Sequence, residues 1–333
     1  MMFQLDQYQA AKTQAAIVDR SDRGLIGVGG ADRVSFLHSL LSNDIEHLKV
    51  GTGCYATYLT PQGRMISDMR VLNVGDELLL DVPAATEATL LTRFGRSIFT
   101  EDVRVSDRSA TLAIFGVHGP KAAEAFAAED GCQSVAGELL ALDEHDNRRM
   151  SLGGVELLLA RNDDLGVPGF DVYVERSQAP LVHRALRVAG VGDMSAETSE
   201  VLRVETGRPR WGADMDEDTI PLEAGIEDRA ISLTKGCYVG QEVIVRILHR
   251  GHGRVARRLV GLTIDANSPM ARGDTIRGAD KDIGHVTSAV VSPALGRSIA
   301  LGYVQRDFVA PGRMVAIVHD GRKVSATVSR GQT

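Results

Sequence analysis

The chain has 333 residues but few cysteines, and these lie far apart. Cys54, Cys132 and Cys237 form no Cys-x-x-Cys pair, so the sequence indicates neither a disulfide framework nor a zinc site made of protein ligands alone. We therefore predict no resident metal. Such sparse cysteine usage is typical of a reducing compartment, and a cytoplasmic location is expected.

Long apolar runs and an excess of basic charge are also lacking. No stretch approaches the roughly 20 apolar residues of a membrane span, and the N-terminal residues show no basic region leading into an apolar one. The 37 basic side chains are outnumbered by 44 acidic ones, which gives a net charge of −7. This balance argues against a membrane partner and against non-specific binding of nucleic acid by the whole molecule.

Two segments resemble a cofactor-binding motif and a metal-binding motif, but both matches are incomplete. The glycine pattern from Gly27 reads Gly-x-Gly-x-x-Asp32, whereas a dinucleotide fingerprint needs glycine at the last position. The run Asp214–Asp218 resembles the start of a calcium loop. Thr219 and Gly225, however, stand where that loop needs a glycine and a bidentate glutamate. Neither ligand is predicted.

The order of the predicted elements favours an α+β fold followed by a small barrel. Strands and helices alternate up to about residue 250 without the regular repeat of a doubly wound sheet. A hairpin is predicted from residues 54–59 and 65–73, joined by a turn that contains Pro61 and Gly63. We place the end of this region within residues 246–258. Beyond it, short β-branched runs predict barrel strands at 254–264, 283–291, 298–304, 314–319 and 323–328.

The segment Lys235-Gly236-Cys237-Tyr238-Val239-Gly240-Gln241-Glu242, with Arg246 one helical turn later, is the strongest candidate for chemistry. A thiol reacts, or binds metal, as its thiolate, and a nearby ammonium group or helix N-terminus favours that form. Apolar residues at helical spacing predict a helix after Gly240. The alternative is that Cys237 is an inert buried cysteine and that the polar residues after Gly240 belong to a solvated helix face.

Residues 203–214 form a second polar segment, which holds the only tryptophan of the chain. Arg203 and Glu205 beside Trp211 suit a planar heterocycle with several hydrogen-bonding edges, such as a pterin. The alternative is a salt-bridged helix end with Trp211 in the core. A third segment, residues 246–258, is locally basic. It is either a solvated linker or a docking surface for a polyanion, namely the carboxylates of an extended ligand tail or the phosphates of an RNA.

Together these motifs resemble those of the YgfZ-type folate-binding proteins, relatives of the T-protein (aminomethyltransferase) of the glycine cleavage system. The resemblance covers nearly the whole chain. Besides the 235–246 segment it rests on Ser42-Asn43-Asp44, on residues 59–64 through Asp68, on Arg203-x-Glu205-x-Gly207 with Trp211-Gly212-x-Asp214, and on Pro221-Leu222-Glu223-Ala224-Gly225.

The resemblance implies a T-protein-like core of two α+β subdomains around a central opening, followed by a C-terminal β-barrel. We assign residues 1–250 to the core and 251–333 to the barrel. Within the core, one subdomain would join 1–48 with 107–250 and the other would comprise 49–106.

The resemblance also implies a function. Such proteins bind tetrahydrofolate and assist the assembly or repair of iron–sulfur clusters, including those of tRNA-modifying enzymes, through the cysteine that stands here as Cys237. The expected partners are folate and iron–sulfur client proteins, with RNA or the folate polyglutamate tail at Arg246–Arg258. The expected catalytic residues are Cys237 and Lys235, and the expected cofactor-binding residues are Asp68, Arg203, Glu205, Trp211, Tyr238, Gln241, Glu242 and Arg246.

A folate-dependent aminomethyltransferase or other one-carbon transferase is the alternative, and whether the protein is an enzyme stays open at this point. The chain departs from the T-protein pattern at two acidic positions. Val167 replaces the glutamate that contacts the pterin, and Ser67-Asp68 replaces a pair of aspartates.

Overall fold

The computed structural model describes residues 5–128, 133–249, 251, 253–265 and 268–329. Cys132, Arg250 and His252 therefore lie outside the described residues. The described chain divides into two compact units. Unit 1 draws on Met1–Tyr58, Ile66–Ser199 and Arg229–Val239, and unit 2 draws on Leu59–Met65, Glu200–Asp228 and Gly240–Thr333.

Helices and strands are distributed over the whole length of the described chain. The elements up to residue 206 are α1 (Leu5–Thr13), β1 (Ala16–Asp19), β2 (Arg23–Gly29), α2 (Arg33–Leu40), β3 (Gly53–Leu59), β4 (Met65–Asn73), β5 (Leu78–Pro83), α3 (Ala84–Ser97), β6 (Arg104–Asp107), β7 (Leu112–His118), α4 (Ala122–Ala127), α5 (Gln133–Leu140), β8 (Asn147–Leu152), β9 (Val155–Arg161), β10 (Gly169–Glu175), α6 (Ala179–Val188), β11 (Gly192–Asp193) and α7 (Ala196–Thr206). The later elements are α8 (Pro221–Ala224), α9 (Glu227–Ala230), α10 (Gln241–His249), β12 (Arg257–Ile264), β13 (Thr275–Gly278), β14 (Lys281–Ser292), β15 (Arg297–Gln305), a short 3-10 helix (Arg306–Phe308), β16 (Met314–His319) and β17 (Arg322–Ser329).

Unit 1 contains a five-stranded sheet with the strand order β3-β4-β5-β2-β6. Every residue of β4 is buried. Helix α3 buries Leu90 and Phe94, which are one turn apart and so lie on the same face. The Phe94 ring packs at 6.3 Å from the ring of Phe36 and at 5.5 Å from that of Tyr58. These contacts hold α2 and α3 on the apolar core of this sheet.

A six-stranded sheet of order β11-β1-β7-β10-β9-β8 forms the rest of unit 1. Its core includes Phe126 and Phe170, which meet edge to face at 5.8 Å. The sequence predicts that residues 1–48 join 107–250, but β2 pairs with β5 and β6 and therefore lies in the five-stranded sheet. Strand β1 pairs with β7 and β11 of the six-stranded sheet, so the chain passes from one sheet to the other within the three residues between β1 and β2. The domain limits otherwise stay a prediction.

Between the two sheets of unit 1, an apolar layer adjoins a buried network of charges. Leu25 and Leu79 pack with Leu158 in the apolar layer. In the network, Arg70 donates to Asp81 at 3.0 Å and also to Asp164. Burial alone would raise the pKa of Asp81, but the arginines around it hold that pKa well below its usual value. The carboxylate is therefore ionised, and its charge is neutralised inside the protein.

The C-terminal strands close into a barrel of order β12-β15-β14-β13-β16-β17, so the predicted α+β fold with a C-terminal barrel is confirmed. The sequence missed the short strand β13. The predicted Asp-Gly hairpin joins β16 and β17, and Asp320 and Gly321 have φ of 46° and 76°, as the twist of a two-residue hairpin requires. In unit 2, Val204 of α7 packs against Ile299 and Leu301 of the barrel.

Within the part of the chain that the structure describes, none of the helices has the length and apolar character needed to cross a membrane.

Candidate functional site

The side chain of Cys237 is exposed between two buried neighbours. Lys235 is 9 % exposed and Tyr238 is 7 % exposed. The Lys235 ammonium lies 5.1 Å from the centre of the Tyr238 ring, within the range of a cation–π contact. The alternative that Cys237 is buried is therefore wrong, and its reactivity stays a prediction. The thiol stands on a loop whose flanking side chains are fixed inside unit 1.

Lys235, predicted to favour the thiolate of Cys237, is bound in the structure by backbone carbonyls. Its ammonium donates hydrogen bonds to the carbonyl oxygens of His38 at 2.5 Å, Leu41 at 2.5 Å and Asn43 at 3.0 Å. An ammonium group has three N–H donors, so all of them are used. Burial lowers the pKa of Lys235 to about 8, and the groups that oppose this are Asp44 and Cys54. The structure assigns Lys235 to anchoring the loop.

The Ser42-Asn43 motif also binds the segment that leads to Cys237. Ser42 Oγ donates to the carbonyl of Ala230 at 2.6 Å, and the Ser42 carbonyl accepts the N–H of Ser232 at 3.0 Å. Asn43 Nδ2 donates to the carbonyls of Tyr55 at 2.8 Å and Arg229 at 2.9 Å. Unlike most polar motifs of the chain, this one therefore works through backbone groups of a segment almost 190 residues away.

Helix α10 begins at Gln241, so the predicted helix after Gly240 is confirmed. Gly240 has φ of +85°, and a Cβ there would lie 2.5 Å from the Thr60 carbonyl oxygen, so no other residue fits without a shift of the backbone. On the helix, Ile244 is buried, Gln241 is half-buried, and Glu242 and Arg246 are exposed. The last three were predicted to bind the cofactor, and that assignment stays a prediction.

Asp68 is buried on β4, and Tyr55 from β3 donates its hydroxyl hydrogen to Asp68 Oδ2 at 2.7 Å. The other carboxylate oxygen, Oδ1, is buried and has no hydrogen-bond partner among the described residues. A buried carboxylate with an unused acceptor is costly unless a donor is supplied. Asp68 therefore retains the capacity to accept an N–H group from a ligand.

Sequence reasoning missed the residues around Tyr55. The Arg229 guanidinium lies 5.1 Å from the centre of the Tyr55 ring and donates to Glu144 Oε1 at 2.6 Å. His145 lies at 6.3 Å, ring centre to ring centre. Arg229 Nε and His145 Nδ1 are buried and, within the described chain, unpartnered. These residues come from strand β3, the turn before β8 and helix α9, which are distant in sequence, so no local pattern identifies them.

The groups around Tyr55 fit the polar edge of a pterin. A pterin carries adjacent N–H donors and a carbonyl acceptor on its pyrimidine ring, and it needs a carboxylate and a donor opposite them. In such a site Asp68 Oδ1 would supply the acceptor, Arg229 Nε would supply a donor, and the Tyr55 hydroxyl would hold Asp68 in position. We refer to Tyr55, Asp68, His145 and Arg229 as the Tyr55 cluster.

Arg203 has no donor left for a ligand. Its five N–H groups reach Glu200 twice, at 2.9 and 2.6 Å, Asp214 Oδ2 at 2.7 Å, Ser288 Oγ at 2.8 Å, and the carbonyl of Arg208. A guanidinium group has only five donors, so all of them have protein partners in this structure, and the predicted contact with the cofactor stays a prediction. Arg203 joins α7 to the barrel inside unit 2.

The structure restricts Glu205 and Trp211 less, the two nearby residues that were predicted to bind the cofactor together with Arg203. Glu205 accepts the hydroxyl hydrogen of Ser292 at 2.6 Å. Trp211 is half-buried, and its backbone pairs with Met215. The alternative of a salt-bridged helix end describes Arg203 better than the pterin-binding prediction, whereas the role of Trp211 stays a prediction.

Two arginines of the basic segment 246–258 are also engaged internally. Arg257 donates to Glu223 at 3.1 Å, and Arg258 donates to Glu227 at 2.7 Å. Arg246 and Arg254 are exposed. Among the described arginines of this segment, Arg246 and Arg254 are therefore the most accessible to a polyanion.

Because two histidines are buried, we predict that the free energy of unfolding falls in mild acid. Burial is the largest cause that lowers the pKa of His118 and of His145 to about 4. Between about pH 4 and 6.5 the unfolded chain binds a proton at each histidine that the folded chain does not. The free energy of unfolding therefore decreases as the pH falls through this window. From pH 7 to pH 5 we expect a loss of roughly 2 kcal/mol for each histidine, measured by urea unfolding.

The matched variants are His145→Asn and His47→Asn. His145 has φ of 74°, which asparagine tolerates, and the variant should lose about 2 kcal/mol less between pH 7 and pH 5 than the parent. The His47 side chain is 83 % exposed and contacts the surface carboxylate of Asp44, so its replacement should change the loss between pH 7 and pH 5 much less than His145→Asn does. An equal pH-dependent loss in His145→Asn and in the parent would contradict this assignment.

An α+β unit with two sheets and a closed six-stranded C-terminal barrel is the architecture in which the family of this protein is to be sought. Residues 3–235 match the GCVT N-terminal domain, and residues 257–332 match the glycine cleavage T-protein C-terminal barrel domain. The chain belongs to the glycine cleavage T-protein family.

Individual relatives extend over most of the chain. The aminomethyltransferase of Rubrobacter xylanophilus is 30% identical over 298 residues, which cover 90% of this chain and 78% of that protein. The aminomethyltransferase of Thermotoga maritima is 30% identical over 335 residues, which cover 97% and 87%. The crystal structure of glycine cleavage system aminomethyltransferase T from Bartonella henselae has the same fold. Its TM-score is 0.87 at 22% identity, and the match covers 98% of this chain and 88% of that one.

Proposed function

We propose that this protein is a YgfZ-type, tetrahydrofolate-binding accessory protein of the cytoplasm. It would assist the assembly or repair of iron–sulfur clusters, including those of tRNA-modifying enzymes, with Cys237 as its reactive group. The observation that carries the proposal is the exposed thiol of Cys237, set between the buried side chains of Lys235 and Tyr238. A thiol held in this way is accessible to a macromolecular client without unfolding of the loop.

Three chemistries suit Cys237 in this role. Its thiolate would displace the leaving group of a one-carbon donor and take up the one-carbon unit, ligate iron transiently, or attack a client disulfide to form a mixed disulfide while the client's other sulfur leaves as a thiolate. Each of them needs access from outside and a sulfur that is not consumed in packing, and the exposure of Cys237 meets both conditions. Cys54 meets neither, since burial raises the pKa of its thiol to about 12.

The Tyr55 cluster is the proposed binding site for the pterin. Asp68 Oδ1 would accept pterin N–H groups, Arg229 Nε would donate to the pterin carbonyl, and Tyr55 would hold Asp68 in position through its hydroxyl. When bound, tetrahydrofolate would supply a reduced carrier for a one-carbon unit. Arg246 and Arg254 are the exposed arginines available to a polyglutamate tail or to RNA.

Asp68→Asn should weaken tetrahydrofolate binding by roughly 10- to 100-fold. An asparagine keeps an acceptor for Tyr55 but replaces the second carboxylate oxygen by an amide, which loses a charge-assisted hydrogen bond of about 1.4–2.8 kcal/mol. The measurement is a calorimetric titration with tetrahydrofolate. Asp76→Asn is the control because that side chain is 77 % exposed. Equal affinity in both variants would remove Asp68 from the site.

The second candidate function is a folate-dependent aminomethyltransferase, and the names of the relatives favour it. Two residues argue against it. Val167 is buried where the T-protein pattern has a glutamate, and the Ser67 hydroxyl is buried in hydrogen bonds with Thr86 and the carbonyl of Asp68. Incubating the pure protein with tetrahydrofolate and an aminomethyl donor distinguishes the two. Turnover would support the transferase, and binding without turnover would support the accessory role.

A further inference from the structure

The loop that carries Cys237 is bound on the N-terminal side of the thiol by one short segment, residues 41–43. This segment directly follows α2, and it contacts the chain just before the thiol through backbone carbonyls and two short side chains. The contacts with Ala230, Arg229 and Ser232 lie at the start of the loop, and the contacts with Lys235 lie two residues before Cys237.

The Lys235 ammonium lies at the C-terminal end of α2, where a positive charge is favourable. The last carbonyls of a helix have no partner inside the helix and carry a partial negative charge. His38 lies in the last turn of α2 and Leu41 follows it, so their carbonyls face a cation at the most favourable end of the helix. The tetrahedral ammonium group satisfies three such carbonyls at once, which a planar guanidinium group would not do.

We propose that Lys235 and Ser42 are positioning residues for Cys237. They restrict the backbone on the N-terminal side of the thiol, so the sulfur is presented in one orientation to its reaction partner. This inference rests on the proposed function of Cys237 but concerns a separate property, the order of the loop. The anchoring contacts are internal to unit 1, so the order of the loop can be measured without a client, folate or metal.

The test is the mobility of a nitroxide spin label attached to Cys237. The label's rotational correlation time should fall by roughly threefold or more in Lys235→Met, because the loop then moves freely on the nanosecond timescale. Lys49→Met is the control, since Lys49 is exposed and its loss should leave the spectrum unchanged. A sample of Cys237→Ser treated with the same label carries it only on other cysteines. Its signal is subtracted from the spectra of the other samples.

Ser42→Ala is the second variant and keeps the experiment decisive if Lys235→Met does not fold. It removes the hydrogen bonds of Ser42 Oγ with Ala230 and Thr57 and leaves the lysine anchor in place, so a smaller increase in mobility is expected. An unchanged spectrum in a folded Lys235→Met, or in Ser42→Ala where the former is unfolded, would overturn the inference. Lys235→Arg should not show the parental spectrum. If Lys235 acted only through its charge, the arginine variant would show it.

The outcome separates this inference from the proposed function. If Cys237→Ala supports iron–sulfur enzymes as well as the parent, the function fails while the spin-label result stands. If the label stays ordered without Lys235, the positioning role fails and the function of the thiol is untouched.

Discussion

Cells that lack this protein and receive the Cys237→Ala variant should show no recovery of iron–sulfur tRNA-modifying activity, whereas the parent should restore it. The variant should fold normally. Cys237 is exposed, so the loss of its sulfur should change the free energy of unfolding by less than about 0.5 kcal/mol. Tetrahydrofolate binding should also survive, because the Tyr55 cluster does not include the thiol. The measurement is the amount of modified nucleoside in tRNA.

Cys54→Ala is the matched control for this experiment. Its thiol packs against the core of the five-stranded sheet, and burial raises its pKa to about 12, so it does not supply a thiolate at neutral pH. The control should cost roughly 1 kcal/mol of stability and keep full activity. Recovery of tRNA modification by Cys237→Ala, or its loss in a folded Cys54→Ala, would contradict the assignment of the reactive group.

Arg203→Met should destabilise unit 2 by roughly 3–5 kcal/mol. The change removes five hydrogen bonds and leaves the buried carboxylate of Asp214 without its cation. Asp214 also accepts hydrogen bonds from Thr287 and Ser288, which link it to the barrel, so a disturbance at this point spreads through the unit. Urea unfolding measures the loss.

Arg210→Met is the control for Arg203. That side chain is 46 % exposed and reaches Glu200 at 3.3 Å, so its replacement should cost less than about 1 kcal/mol. Tetrahydrofolate affinity separates a structural role from the predicted ligand contact. Folded Arg203→Met should bind tetrahydrofolate as the parent does. A tenfold loss of affinity with unchanged stability would show that Arg203 contacts the ligand after all.

The sequence predicted those parts of the architecture that depend on the preferences of neighbouring residues. The Asp-Gly turn at 320–321 and the turn that contains Gly63 were predicted because their backbone conformations favour few residue types. The helix after Gly240 was predicted from its apolar spacing. Strand β13 was missed because it has only four residues, and the place of β2 was missed because pairing with β5 and β6 depends on tertiary contacts.

The site was predictable only in part, for the same reason. The sequence identified Cys237 and Lys235 as neighbours, but the direction of the lysine side chain depends on carbonyls from α2 and the residues after it, about 190 residues earlier. Arg203 looked like a ligand residue because arginines near an aromatic often are. Its actual partners, Asp214 and Ser288, meet it only in the folded unit.

A calorimetric titration with tetrahydrofolate of the parent and Cys237→Ala, side by side, tests the central claim most directly. Under the proposed function, folate binds at a site built by the fold, and the thiol is a separate reactive group. We therefore predict saturable binding with one site per chain and the same affinity in both proteins. No binding by the folded parent, or binding that disappears with the sulfur, would contradict it.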